Sequence, residues 1–218
     1  MLRKRFILTI LFTFIMQVQI YALDQPTSPL SIKIDLFKSK LYVIEDNQIK
    51  KVFPVVIGTE MSPTPVGQFE IIEKSKAWGG GFGSRWLGLD VPWGVYGIHG
   101  TNKPYLIGQN VSSGCIRMNN NDVEQLYEMI PIGTKVHIKG SLTGTGKGEL
   151  SNLAIGSKGN LVLLVQNRLK AMGLYDGMID GIYDISTYNA IKEFQELNEL
   201  TVNGVVAFRE YLLLGLLE

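Results

Sequence analysis

The sequence predicts a mainly β domain that carries one short helix, followed by a small all-α domain of three helices. Three observations support this division. Apolar residues alternate along much of the first part of the chain, as in strands with one buried face, whereas after residue 151 they recur at helical spacing. Between the two parts, residues 140–150 begin with GSLTGTGKG, whose small residues and four glycines are typical of a flexible linker.

The β domain is predicted to span residues 31–139. Ile32, Ile34 and Leu36 alternate with Lys33 and Asp35, which predicts a strand with one buried and one solvent-exposed face. Residues 41–44 and 52–57 are predicted to form a hairpin around a turn at 45–48. Further strands are predicted at 69–72, 95–99 and 136–138.

One helix is predicted within the β domain, because apolar residues recur at the spacing i, i+3, i+4 and i+7. These residues are Val123, Leu126, Tyr127 and Ile130. Asn121 followed three residues later by Glu124 resembles a capping box at the start of the helix, and Pro131 and Gly133 end it.

The all-α domain is predicted to span residues 151–218. Its first two helices have the apolar faces Val162, Val165, Leu169, Met172 and Ile191, Phe194, Leu197, with Thr187 as an N-cap; a third helix is predicted at 208–217. The Asp-Gly pairs at 176–177 and 180–181 predict two turns, since the ligand pattern of a calcium loop is missing. The domain contains no His or Cys, so binding suits it better than catalysis.

Residues 1–22 have the layout of a secretory signal peptide. Three basic residues precede the apolar run 6–16, and Ala22 offers a small residue for cleavage. The alternative is an uncleaved membrane anchor, but Gln17 and Gln19 keep the apolar run short of the roughly 20 residues that span a bilayer. We therefore expect export without a stable membrane span after cleavage.

The charge balance gives no indication of a nucleic-acid partner. The net charge of the whole chain is +1. Residues 1–22 carry three basic and no acidic side chains, so cleavage would change the charge from +1 to −2. A protein with this balance lacks the excess of positive charge that binds phosphates.

The chain contains a single cysteine, Cys115, in the run SSGCIRM. Exported domains use cysteines in pairs as disulfides, and a lone cysteine has no partner within the chain. Three interpretations remain open on this basis: a small buried hydrophobic residue, a link between molecules, or a reactive thiol. The third requires a neighbouring group that takes the thiol proton.

Two histidines are candidates for that group. His137 lies between Val136 and Ile138, which point inward on a predicted strand, so we expect a solvent-exposed imidazole. His99 ends a predicted strand and precedes a loop, where a side chain reaches a partner rather than fills a core. An adjacent imidazole takes the proton of a thiol and holds the thiolate as an ion pair, so His99 is the predicted base.

The residues around Cys115 suit acyl transfer. Gly114 permits a tight turn whose successive backbone N–H groups are candidates for an oxyanion hole. Arg117 would hold a substrate carboxylate or brace the loop, although a plain surface arginine fits the spacing equally well. A zinc site is not expected, because the two candidate ligands are sixteen residues apart with no second Cys or His nearby.

Residues 78–86, WGGGFGSRW, form a glycine-rich loop. The loop lacks the Gly-Lys-Ser/Thr ending of a phosphate-binding loop. Its aromatic residues favour a mobile lid or a wall of the substrate site, and an ordinary surface loop is the alternative.

At these residues the sequence resembles the L,D-transpeptidase catalytic domain, the YkuD-like domain. The resemblance rests on IHGT at 98–101 and SSGCIRM at 112–118, with TPVGQF at 64–69 upstream, and it covers residues 31–139. Residues 151–218 resemble a helical peptidoglycan-binding domain through their Asp-Gly pairs, Phe194-Gln195 and Asn203-Gly204-Val205.

The resemblance implies a β-sandwich-like L,D-transpeptidase fold and a set of roles for site residues. Cys115 would be the nucleophile and His99 the base, oriented by the carbonyl of Gly100. The amides of Gly114 and Cys115 would form the oxyanion hole, and Arg117 would bind substrate. Ser113, a second predicted substrate contact, stands where many family members have another histidine.

The implied reaction is transfer of a peptidoglycan tetrapeptide stem through a cysteine acyl-enzyme, with release of D-alanine and cross-linking of stems. Two alternatives are a cysteine L,D-carboxypeptidase that only trims stems and a non-catalytic wall-binding protein. The implied partner is peptidoglycan, both stem peptide and glycan. The implied location is the cell wall, periplasm or another part of the envelope, and no metal or cofactor is required.

Overall fold

The structure is a computed structural model that describes residues 30–76, 79–141 and 150–217. The predicted signal peptide and most of the predicted linker lie outside these residues. No helix in the described ranges is long and apolar enough to cross a bilayer. The strands are β1 (Ser31–Asp35), β2 (Lys40–Glu45), β3 (Gln48–Pro54), β4 (Ile57–Gly58), β5 (Gly67–Ser75), β6 (Trp86–Leu89), β7 (Tyr96–Thr101), β8 (Asn110–Ser112), β9 (Ile116–Asn119) and β10 (Lys135–Lys139). The helices are α1 (Asn120–Met129), α2 (Asn160–Ala171), α3 (Ile185–Leu197) and α4 (Phe208–Leu213).

Eight strands form one sheet in the order β3-β2-β1-β10-β5-β6-β7-β9. The pairs β1–β10 and β7–β9 are parallel, and the other neighbours are antiparallel. Strand β5 joins the two halves: its first residues pair with β10, and its later residues pair with β6 across an irregularity between Ile71 and Glu73. The mainly β class predicted for this part of the chain is confirmed.

Both halves of the sheet contribute to a single hydrophobic core with one face of α1. Burial alternates along β1 and β2, so every second side chain of these strands enters the core, whereas β6 and β7 are buried along nearly their whole length. Core residues include Ile34, Leu41, Val43, Ile71, Leu87, Ile98, Ile116, Met118, Val123 and Leu126. The sandwich-like arrangement therefore takes the form of one sheet that bends around a shared core.

The predicted hairpin is confirmed, and its turn is tighter than expected. Strands β2 and β3 are joined by Asp46 and Asn47, both with positive φ, 51° and 58°. Asx residues tolerate this left-handed conformation, which matches the twist of a hairpin. Strands β6, β8 and β9 were not predicted.

The predicted helix is present as α1, but its predicted cap is wrong. The N-cap is Asn119 and has no side-chain cap hydrogen bond, so the helix begins before Asn121. The side chain of Asn120 instead accepts a hydrogen bond from the N–H of Ser84, 3.1 Å away. The Asn120 side chain, at the start of α1, thus binds the glycine-rich loop and not the end of the helix.

Helices α2, α3 and α4 surround a second hydrophobic core, which confirms the predicted three-helix domain. Three details differ from the prediction. Asp184, not Thr187, is the N-cap of α3 and accepts hydrogen bonds from the N–H groups of Ser186 and Thr187, each 3.0 Å long. Met172 and Leu197 end their helices and are 47% and 66% exposed, so neither belongs to the core. Helix α4 ends at Leu213.

A buried glutamine organises each half of the helical domain in the same way. Gln166 Oε1 accepts hydrogen bonds from the N–H groups of Asp180 and Gly181, at 3.1 and 2.8 Å. Gln195 Oε1 accepts from those of Asn203 and Gly204, at 3.0 and 2.8 Å. Each helix is thereby tied to a turn that follows it, and the second Asp-Gly pair, at 180–181, forms one of these two turns.

Replacing Gln166 by alanine is expected to lower the free energy of unfolding of the helical domain by about 2–4 kcal/mol. Gln166 is fully buried, and the substitution leaves the amide of Gly181 unsatisfied beside a cavity. Urea unfolding followed by circular dichroism measures the change. Asn167→Ala, at the next and exposed position of α2, is the control, and equal midpoints for the two variants would contradict the prediction.

Candidate active site

The loop that carries Cys115 is held in a fixed turn by Ser112. The buried hydroxyl of Ser112 donates a hydrogen bond to the carbonyl oxygen of Cys115, 2.6 Å away, and accepts one from the N–H of Gly114 at 3.1 Å. Gly114 has a φ of 106°, and a Cβ there would lie 2.7 Å from Tyr96 Cε1. Only glycine therefore fits beneath the tyrosine ring, and the turn presents Cys115 at the start of β9.

The thiol of Cys115 is half-buried, and its surroundings favour the protonated form. Burial raises the pKa of Cys115, while a hydrogen bond from the backbone of Gly97 and the positive charge of Arg117 act in the opposite direction. Burial is the largest of these influences, so the free thiol is the resting form near neutral pH.

His99 is buried inside β7 rather than at its end, because the strand continues to Thr101. Its Nδ1 lies 2.6 Å from the carbonyl oxygen of Gly100. A carbonyl only accepts hydrogen bonds, so the neutral ring carries its proton on Nδ1 and leaves Nε2 able to accept one. This is the tautomer that a general base for the thiol requires.

Burial lowers the pKa of His99 to about 4. The backbone oxygens of Gly100 and Phe82 favour the charged ring, but desolvation outweighs them, and the charge of Arg117 lowers the pKa further. Both members of the pair are therefore neutral at rest. The ion pair expected from the sequence is therefore not the state that burial favours.

Strand pairing brings the predicted site residues together. His99 lies opposite Arg117 in the parallel pair β7–β9, and Cys115 precedes Arg117 by two residues. Residues two apart on a strand point to the same face. Besides burial, the positive charge of Arg117 acts to lower the pKa of both His99 and Cys115. Its backbone forms hydrogen bonds with that of Val56.

Two aromatic rings enclose the imidazole. Trp86 stacks on His99 with the ring centroids 5.8 Å apart, and Phe82 meets the imidazole edge-on at 4.8 Å. Both residues belong to the predicted glycine-rich loop. The aromatic residues of this loop predicted a lid or a wall, but the contacts with His99 could not be predicted from them.

The described part of this loop is anchored as a wall. A Cβ at Gly83 would lie 2.4 Å from the backbone carbon of Gly100, which shows how closely the loop approaches the strand that bears His99. Arg85 Nη1 lies 3.8 Å from Glu124 Oε1 on α1, in addition to the bond between Ser84 and Asn120. Trp78, which was predicted to belong to the lid, lies outside the described residues.

The remaining predicted site residues differ in their surroundings. Ser113 is exposed on the loop before Cys115, and His137 is exposed on β10 as predicted. The N–H of Gly114 is engaged by Ser112, so this amide can serve an oxyanion only when that hydrogen bond is broken. Across the described residues, no group of three or more His, Cys, Asp or Glu side chains could hold a metal ion.

The chain matches two family models. The L,D-transpeptidase catalytic domain matches residues 29–138, half of the chain, and a peptidoglycan binding domain matches residues 158–207. A Bacillus subtilis (strain 168) protein that carries the name L,D-transpeptidase YkuD is 42% identical over 115 residues, which are 53% of this chain and 69% of that protein. ErfK/SrfK of Escherichia coli (strain K12), named an L,D-transpeptidase, is 30% identical over 49% of this chain and 43% of its own length.

Solved structures of proteins with the same name also match. The catalytic domain of an L,D-transpeptidase from E. faecium has a TM-score of 0.45 and 24% identity, over 51% of this chain and 97% of that domain. L,D-transpeptidase 3 from Mycobacterium tuberculosis has a TM-score of 0.45 and 17% identity, over 51% of this chain and 61% of that protein.

Proposed function

The chain belongs to the L,D-transpeptidase family, and from this premise we propose that it transfers peptidoglycan stem peptides through a thioester on Cys115. The observation that supports the proposal is the register of the parallel β7–β9 pair, which sets the buried His99 opposite Arg117, two residues after the single cysteine. The imidazole has the tautomer of a base, and the wall of Phe82 and Trp86 shields it from water.

In the first half-reaction, Cys115 attacks the carbonyl carbon of the diamino acid, in the amide bond that joins this third residue of the stem to the terminal D-alanine. His99 Nε2 takes the thiol proton as the carbon–sulfur bond forms, and the carbonyl oxygen gains negative charge. The amide of Cys115, and that of Gly114 once released from Ser112, are the proposed donors to this oxyanion. The carbon–nitrogen bond then breaks, and the imidazolium returns its proton to the amine of D-alanine.

In the second half-reaction, an amine of a neighbouring stem attacks the thioester carbon. His99 accepts a proton from the attacking amine and returns it to the sulfur as the carbon–sulfur bond breaks. The products are an amide cross-link and the free thiol. Burial of the imidazole, which keeps it neutral, suits this repeated exchange because neutral Nε2 is the form that accepts protons.

The helical domain is proposed to hold the enzyme on peptidoglycan, which the match of residues 158–207 supports. Cell-wall association follows from the two domains together. Export through residues 1–22, with cleavage after Ala22, remains part of the proposal, as do the domain boundaries 31–139, 140–150 and 151–218.

Product analysis tests the proposed function. We expect the purified protein, incubated with tetrapeptide muropeptides, to produce a dimer joined through the third residue of a stem, together with free D-alanine. Mass spectrometry identifies both products. A tripeptide without dimer would instead assign a carboxypeptidase, because water would then have resolved the thioester. Unchanged substrate with an intact, folded protein would favour a wall-binding protein without catalysis.

A further inference from the structure

A groove of about 410 Å³ lies between the two domains, beside the loop that carries Cys115. Its catalytic-domain wall includes Pro63, Tyr96 and Ser113, and its helical-domain wall includes Lys158 and Leu161. The sequence predicted catalysis and binding in separate domains. In the described residues both domains instead line one cavity next to the nucleophile.

Two contacts fix the walls of this groove relative to each other. The N–H of Val66 donates a hydrogen bond to Oδ1 of Asn160, 3.1 Å away, and Asn160 is 5% exposed. In the second contact, Gly181 of the helical domain packs against Trp93 of the catalytic domain so closely that a Cβ on Gly181 would lie 2.6 Å from Trp93 Cε3. The groove is thus formed where the two domains are in contact.

The groove borders the loop that carries Cys115. The ring of Tyr96 lines it and also covers Gly114, the residue before Cys115. The side chain of Trp93, another lining residue, hydrogen-bonds to Tyr96. Burial raises the pKa of Tyr96, and the Cys115 thiolate would raise it further, which indicates that the two side chains are near each other. A chain lying along this groove would therefore pass next to the Cys115 loop, at the end formed by Tyr96 and Ser113.

The charges of the groove match those of a stem peptide. Lys158 brings an exposed ammonium to the helical-domain side, and Glu60 brings a carboxylate to the catalytic-domain side. A stem peptide carries carboxylates and the amine of its diamino acid. An ammonium binds a carboxylate by a charge-assisted hydrogen bond, which is stronger than a neutral one.

We propose that the groove between the domains is a subsite for the acyl-donor stem and that Lys158 binds a stem carboxylate remote from the scissile amide. This rests on the proposed function, because it takes the stem peptide as the substrate. The helical domain then contributes directly to substrate selection, in addition to any role in holding the glycan.

Binding of a synthetic tetrapeptide stem without sugars tests the subsite independently of turnover. The titration uses Cys115→Ala protein, so that no reaction occurs, and isothermal calorimetry measures Kd. We expect Lys158→Glu to weaken binding about tenfold, as loss of one charged hydrogen bond predicts. Lys170 is an exposed lysine near the C-terminal end of α2, remote from the groove lining. Lys170→Glu should therefore leave Kd unchanged. Ser62→Trp, which fills the groove from the catalytic-domain side, should weaken binding as well.

A stem with amidated side carboxylates separates charge recognition from general disruption. The Lys158→Glu effect should disappear with this ligand, whereas the Ser62→Trp effect should remain. Equal Kd values for the two lysine variants, no effect of Ser62→Trp, or no binding of the stem at all would each overturn the subsite. Binding as expected together with absence of products from the wild-type protein would overturn the proposed function and leave the subsite standing.

Discussion

Replacing Cys115 by alanine is expected to reduce turnover of tetrapeptide stems by at least about 10⁴-fold, as loss of a catalytic nucleophile does in other acyl-transfer enzymes. Cys115 is the single cysteine of the chain, so no other thiol can replace it. The side chain is half-buried and alanine is smaller, so the fold should tolerate the change. Release of D-alanine measures the rate.

The same substitution should remove the covalent intermediate. Intact-protein mass spectrometry of the wild-type protein with excess tetrapeptide should reveal an acyl adduct, and Cys115→Ala should show none. An unchanged melting temperature serves as the control for folding. Retained turnover in the folded variant would exclude the thioester mechanism, since the reaction would then proceed through another group.

Replacing His99 by alanine is expected to lower the rate about 10²–10⁴-fold, the usual contribution of a general base. The pH dependence distinguishes loss of the base from a general structural effect. Burial lowers the pKa of His99 to about 4, and the base must be neutral to accept the thiol proton. Wild-type kcat/KM should therefore stay nearly constant from pH 7 to pH 5 and fall as the pH drops through about 4.

In His99→Ala this acid limb should be replaced by a rate that rises steadily with pH, because only spontaneous ionisation of Cys115 then supplies a thiolate. Burial raises the pKa of that thiol, so the rise should extend well above neutral pH. The matched control is His137→Ala, which removes the exposed histidine on β10 and should keep the wild-type profile. A wild-type acid limb preserved in His99→Ala would assign the titration to another group.

Part of the candidate site could be predicted from local sequence. Gly114 before Cys115 indicates a turn that presents the thiol, and this turn has the positive φ that only glycine adopts without strain. His137 was predicted to be exposed because it lies between two inward-pointing apolar residues, and the structure confirms its exposure. In both cases the deciding interactions are between residues close together in the chain.

The wall around His99 could not be predicted in the same way. Trp86 stacks on the imidazole because β6 pairs with β7 in a register that sets Trp86 beside His99. Alternation in a sequence indicates which residues share a face of a strand, but it does not identify the partner strand or its register. The hydrogen bond between the Asn120 side chain and Ser84 could not be predicted for the same reason, because it joins residues far apart in the chain.

The sequence by itself determined the two-part architecture, the single cysteine on its glycine turn and the exposed position of His137, because periodicity, composition and turn chemistry are local properties. Only the tertiary structure decided that both reacting groups rest in their neutral forms and that Lys158 lines a groove beside Ser113. These features depend on burial and on contacts between residues far apart in the chain. Desolvation exists only once the sheet, the loop and the helical domain have packed around the site.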